Sequence, residues 1–192
     1  MTSERLVAFT DGVVAVIITI MVLEMKPPAG ADPAALAALW PVFSAYALSF
    51  AYVAIYWNNH HHFFKLAPQV NGAVMWANLA LLFCLSLVPF ATAWMGAHPF
   101  SPWPTAVYGA SLLASAIAFL IMQWAIIRLQ GPASALKAAV GGDLKGKASP
   151  LLYLAGVALA FVSPPLADVL FAAVAVMWLI PDRRVAEVVR SG

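Results

Sequence analysis

The sequence predicts an all-α integral membrane protein, and three observations carry that prediction. Of 192 residues, 64% are hydrophobic and only 9% charged, whereas an ordinary soluble domain is about half apolar and about a quarter charged. So few charges cannot cover a water-facing surface, and the mean hydropathy is +0.89. The apolar residues also fall into six runs, at 9–25, 36–57, 73–94, 105–129, 151–162 and 166–180, divided by proline, glycine and charge clusters. Finally, the basic residues gather on one side if those runs alternate across a bilayer. A cytosolic enzyme, a nucleic-acid-binding domain and a disordered chain are excluded. The net charge of +2 is too small to imply a polyanionic partner. The length allows a single six-helix membrane domain over residues 1–192, with no second globular unit.

Each run is weighed against the span that a bilayer requires, about 20 residues with a range of about 17–25. The second, third and fourth runs meet it, and the first lies at its short limit. The first run superficially resembles a signal peptide, with Arg5 ahead and Ala29-Gly30-Ala31 behind. Asp11 sits badly before such a segment, which is therefore expected to be retained as a helix. The fifth and sixth runs are short, separated by the tight turn Ser163-Pro164-Pro165. They read as two short spans, with a re-entrant hairpin as the alternative.

Alternating spans place Arg5, Lys65, Arg128, Lys137, Lys145, Lys147, Arg183, Arg184 and Arg190 on one side and only Lys26 on the other. By the positive-inside rule both termini are cytoplasmic, and the plasma membrane is the expected location. Trp40, Trp94 and Trp103 then flank the outer boundary and Trp57, Trp124 and Trp178 the inner one, as aromatic belts do. The Gly-, Ala- and Lys-rich stretch 131–150 is expected to be a flexible cytoplasmic linker, with a segment lying on anionic lipid through its lysines as the alternative, and residues 182–192 a cytoplasmic tail. Cys84, the single cysteine, has no intrachain partner for a disulfide.

Polar groups inside apolar runs are costly, so each is a functional candidate. They are Asp11, Glu24, Asn58, Asn59, His60, His61, Asn78, Gln123 and Asp168. At about 100° per residue, Val16, Thr19, Ile20 and Leu23 form one stripe on the first helix. Gly12 and Phe9 continue it toward the cytoplasm, and Asp11 points roughly 130° away from its centre. By periodicity alone such a stripe is ordinary helix packing. Asp11 reads as lying at the start of its helix, where a carboxylate is favoured by the dipole and Thr10 can cap. The alternative is a buried structural cluster of Arg5, Thr10 and Asp11 with Asn59, His60 and His61, which lie at the same depth. The run His60-His61-His62 does not read as a metal site, because consecutive helical residues point about 100° apart. There is no G-x-S-x-G, no Walker loop, no H-E-x-x-H and no T-V-G-Y-G carbonyl filter; Val107-Tyr108-Gly109 lies inside an apolar run. Neither catalysis nor a cofactor is expected.

These residues resemble a known family. Arg5, Phe9-Thr10-Asp11-Gly12, Thr19 and Leu23-Glu24 are similar to the first-helix signature R-x-x-x-F-S-D-G of the transmembrane protein 175 potassium channels. The likeness continues through Tyr56-Trp57, Asn59-His60-His61, Phe64, Asn78-Leu79, Leu85-Ser86-Leu87 and Pro89-Phe90-Ala91-Thr92. It covers roughly residues 1–130 by motif and the remainder by topology. The resemblance implies six helices per protomer in a homotetramer around a central pore lined by helix 1. It implies selectivity from rings of apolar side chains on that helix, which match Val16, Ile20 and Leu23, with a hydroxyl layer at Thr19. Thr10 stands where the family has serine and keeps the hydroxyl. Val16 stands where members often carry Ile or Leu, so the constriction is open between it, Ile20 and Leu23.

The function expected on these grounds is passive potassium conduction through a hydrophobic gate, in which a narrow apolar neck excludes a stable water column. Potassium ions would pass near Thr19, whose hydroxyls replace part of the hydration shell. Glu24 would attract cations at the outer mouth. The principal alternative is a proton-permeable channel or proton-coupled transporter using Asp11, His60 and His61; a non-conducting scaffold is the third reading.

Overall fold

In the computed structural model, which describes residues 2–179, the chain is helical almost throughout. The first helix, α1 (Glu4–Leu23), starts before the apolar run because Ser3 is pinned: its amide donates to the Pro68 carbonyl at 3.0 Å. Thr10 therefore lies well inside the helix rather than capping it. Pro33 opens the short α2 (Pro33–Ala37), and the Asp32 carboxylate caps it by accepting from the Ala35 amide at 2.7 Å. The second apolar run is thus divided, and its main helix is α3 (Trp40–Lys65). That helix continues through Asn58–His62, so these polar residues project at helical intervals.

The third run is also divided. After α4 (Gly72–Ser86), Leu87 ends one helix and starts the next, α5 (Val88–Ala97). Pro89 lies in the first turn of α5, where its missing N–H costs nothing but would break a continuous ladder. The longest helix is α6 (Pro102–Gln130), which runs unbroken through Val107-Tyr108-Gly109. The last two long helices are α8 (Leu144–Leu159) and α9 (Pro164–Leu179), 16 residues each. At about 1.5 Å per residue each is ~24 Å long, shorter than a ~30 Å hydrocarbon core.

The segment 131–150 corrects an expectation. It is not a flexible linker: a 3₁₀ turn (Gly131–Ala133) leads into α7 (Ala135–Val140), and α8 begins at Leu144, ahead of Pro150. Leu136 and Ala139 are buried. Gln130 holds the junction, donating to the Leu66 carbonyl at 2.6 Å while its side-chain oxygen accepts from the Ser134 hydroxyl at 2.6 Å and from the Leu136 amide at 3.2 Å. Ser134 and Asp143 then cap the two following helices. Ile180 and the expected tail 182–192 lie outside the described residues.

Two apolar clusters hold these helices together. One joins α1, α3, α4, α6 and α7 around Val14, Ile17, Val53, Leu81 and Met122. The other joins α3, α5, α6, α8 and α9 around Tyr52, Tyr108, Tyr153 and Phe171. In the second, Thr92, Ser49 and Tyr108 form a hydrogen-bonded ladder across α5, α3 and α6, with spacings of 2.7 and 3.1 Å. The Tyr52 hydroxyl donates to the Phe171 carbonyl at 2.6 Å. Gly109 and Gly156 face the Phe171 ring, and a Cβ on either would collide with it. Gly109→Ala and Gly156→Ala are each expected to destabilise the fold by about 1–3 kcal/mol, the usual cost of overpacking. Unfolding temperature in detergent measures this; parent-like stability in both variants would contradict this account of the contact.

By length and composition α1, the α4–α5 unit and α6 are each apolar enough to cross a membrane. With three such apolar spans among the described residues, and α1, α3 and α6 running 20, 26 and 29 residues, this is a multi-pass membrane protein.

Candidate permeation site

Helix α1 has a packed face and an exposed face, set by its sequence period. Leu6, Thr10, Val14, Ile17 and Met21 recur every three or four residues and are buried against α3, α4 and α5. About 130° round the helix, Val16 is 54% exposed, Ile20 42% and Leu23 78%. Thr19 is exposed between them and donates its hydroxyl hydrogen to the Val16 carbonyl at 2.9 Å. Its oxygen lone pairs are therefore left pointing away from the helix as acceptors. Val16 and Ile20 of this stripe border a groove of about 710 Å³ between α1 and the α4–α5 bend, lined on the far side by Ser86, Pro89, Phe90 and Ala93. Glu24 lies at one end of this groove and is exposed.

The polar residues expected to form one cluster form two. The buried one is built on Asn78 of α4, which the sequence reading noted but did not assign. Its side-chain oxygen lies 2.9 Å from His60 Nε2, and its Nδ2 donates to Thr10 Oγ1 at 3.0 Å. Because the Asn78 oxygen is an acceptor, the His60 ring proton sits on Nε2. Thr10, His60 and Asn78 are each almost fully buried, so this triad ties α1, α3 and α4 together away from water.

The second cluster is exposed. Asp11 accepts from the Trp57 indole N–H at 2.8 Å, and the Trp57 ring stacks on His61 with centroids 6.1 Å apart. Asn59 turns back instead, donating to the Ile55 carbonyl of its own helix at 2.9 Å. Arg5 is exposed. Asp11 and Thr10 separate because they are adjacent on a helix and so face about 100° apart. The three consecutive histidines likewise reach three different partners: Asn78, Trp57 and the Asn58 carbonyl. Asn78 was findable in the sequence as an amide at the depth of His60. Its role as the hub required knowing which helix lies opposite α1.

This arrangement resembles known proteins. The sequence model of the family described as endosomal/lysosomal potassium channel TMEM175 matches residues 5–89. A potassium channel of Chryseobacterium sp. (strain P1-3) is 50% identical over 185 residues, covering 96% of each chain. The chain belongs to the TMEM175 family. A potassium channel of Streptomyces collinus is 36% identical over 175 residues, 85% of each chain. The crystal structure of a lysosomal potassium-selective channel TMEM175 homologue from Chamaesiphon minutus matches with a TM-score of 0.81 at 30% identity, covering 93% of this chain and 96% of that one. The TMEM175 sequence match takes in α1, α3 and α4, and so includes the exposed stripe and both polar clusters. Helices α6–α9 lie beyond that family match, and there the likeness is carried by the sequence identity to the Chryseobacterium channel, which spans 96% of the chain, and by the overall fold.

Proposed function

We propose that this protein is a passive potassium-selective channel in which four copies of α1 line a central pore. The observation that carries the reading is the face of α1 left unpacked by its own protomer: apolar rings at Val16, Ile20 and Leu23, interrupted by a single hydroxyl layer at Thr19. One such stripe cannot enclose a pore, so a cyclic homotetramer completes it. In that assembly the apolar rings are gate and filter, and closure is loss of water from a narrow neck. Because Thr19 donates its hydrogen to Val16, its oxygen faces the pore as an acceptor for a dehydrating potassium ion. Glu24 raises the local cation concentration at the outer mouth.

The remaining assignments follow from this assembly. Each protomer crosses the plasma membrane six times, through α1, α3, the α4–α5 unit, α6, α8 and α9, with both termini cytoplasmic. Residues 1–192 act as one channel domain, without cofactor or bound structural metal. Thr10, Asn78 and His60 position α1 from behind, and Asp11 with Trp57 and His61 holds its flank; both groups are structural and lie off the path.

Two measurements on one preparation test the reading. Native mass measurement in mild detergent is expected to give four 20.4 kDa protomers, and liposomes under a potassium gradient are expected to show potassium flux. A conducting monomer or dimer overturns the assembly. Proton flux without potassium flux makes the proton path correct, and a tetramer that passes neither ion is a scaffold.

A further inference from the structure

Among the described residues, every hydrogen bond that joins α1 or its cap to another part of the chain lies in its N-terminal half. The Ser3 amide donates to the Pro68 carbonyl at 3.0 Å, Thr10 meets Asn78, and Asp11 meets Trp57. Beyond Asp11, where the proposed neck lies, α1 is held by packing of Val14, Ile17 and Met21, and Thr19 bonds only within its own helix. A helix rises about 1.5 Å per residue, so Ser3 stands ~10 Å to one side of the Thr10–Asn78 contact and Ile20 ~15 Å to the other. With that contact as a fulcrum, a shift of Ser3 returns at Ile20 roughly one and a half times larger.

The turn between α3 and α4 fixes Ser3. Besides the Ser3–Pro68 bond, Thr2 pairs with Gln69 as an isolated antiparallel bridge. This turn is anchored in its own right by α6. Leu66 caps the C-terminus of α3, where carbonyls lack helical partners, and its carbonyl accepts from Gln130 Nε2 at 2.6 Å. The orientation of Gln130 is determined by its other contacts. The Leu136 amide can only donate, so the atom it meets at 3.2 Å is the Gln130 oxygen. The Ser134 hydroxyl donates to the same oxygen at 2.6 Å. Ala67, between Leu66 and Pro68, is almost fully buried, which braces the turn. A connected series therefore runs from α7 through Gln130, Leu66 and Pro68 to the cap of α1, and none of its members borders the proposed neck.

We propose that Gln130 is a positioning residue for the gate. Acting through the 66–69 turn, it sets where the N-terminal end of α1 stands, and so the width of the neck at Val16, Ile20 and Leu23. The inference rests on the permeation path proposed above. An apolar neck dries and closes without help, so holding it open takes a restraint on α1 from outside the neck, and this series supplies one.

Single-channel recording of the full-length channel in planar bilayers tests this, with reversal potential and unfolding temperature measured on the same preparations. Gln130→Glu keeps an acceptor for Ser134 and Leu136 and removes the donor to Leu66. Ser3→Pro removes the amide at the other end of the series. The φ of −73° at Ser3 suits proline, and the bridge-paired Thr2 ahead of it suits a residue before proline. Each variant is expected to lower the open probability on the order of fivefold with the reversal potential unchanged. Because both cut one series, the double variant is expected to fall no further than the lower single variant, rather than by the product of the two effects. Parental or raised open probability in either folded variant overturns the link, whatever happens to the unfolding temperature, and so does a multiplicative double variant. If one single variant fails to assemble, the other decides. A parent that conducts no potassium overturns the pore reading itself, whereas a conducting parent whose variants gate as it does overturns this inference alone.

Discussion

Leu23→Asn and Ile20→Asn are each expected to raise sodium permeability relative to potassium by about tenfold, equivalent to a ~1.4 kcal/mol change in the difference between the two barriers. The reason is the nature of the neck. Val16, Ile20 and Leu23 are apolar and exposed within the protomer, so the pore wall proposed for them would offer water nothing to bond. Discrimination in such a neck comes from the cost of stripping water from the ion, and that cost is larger for the smaller sodium ion. A ring of carboxamides supplies donors and acceptors at that point and lets a hydrated ion through. Leu23 is the most exposed of the three at 78% and so the position least involved in the protomer's own packing; its variant is expected to fold normally. Reversal potentials in mixed sodium and potassium measure the effect. Intact tetramers of both variants with parental reversal potentials would show that the stripe is a packing surface and the filter assignment is wrong.

Asn78→Leu is expected to destabilise the protein by about 3 kcal/mol, with ion selectivity essentially unchanged. Leucine matches the size of asparagine but leaves the His60 Nε2–H and Thr10 Oγ1 without their partner. Each orphaned buried polar group costs ~1–3 kcal/mol, and both residues here are almost fully buried. The triad connects three helices, so its loss also loosens the support behind the unpacked face of α1. Asp11→Ala is expected to act in the same direction but by less, ~0.5–1 kcal/mol, because its bond to Trp57 is exposed and water replaces it. Denaturant or thermal unfolding and reversal potential, measured on the same preparations, separate the roles. Parental stability with shifted selectivity in Asn78→Leu would place the triad on the permeation path.

Much of this protein could be read from its residues because a bilayer imposes simple demands. A chain with 9% charged residues must bury its backbone polar groups in helices wherever it meets lipid, so helical architecture followed from composition. The division of α1 into two faces followed from the 3.6-residue period, which acts within a single helix and needs no knowledge of its neighbours. Local signals also bore on the breaks. Pro89 and Pro41 stood visible in the sequence, although the hydropathy of the flanking residues concealed the interruptions they mark at Leu87 and before Trp40.

What depended on tertiary structure was the pairing of residues distant in the chain. Thr10 beside Asp11 looked like a cap because capping is the local use of a hydroxyl near a helix start. Its actual partner, Asn78, is 68 residues away and reaches it only because α4 packs behind α1. The same holds for residues 131–150, whose Gly, Ala and Lys content suggested a flexible linker. Their order comes from Gln130, which bridges Leu66, Ser134 and Leu136, and from the burial of Leu136. Period and composition act within one segment and are written in its residues. A hydrogen bond between segments depends on where both are placed, and packing of the whole bundle decides that.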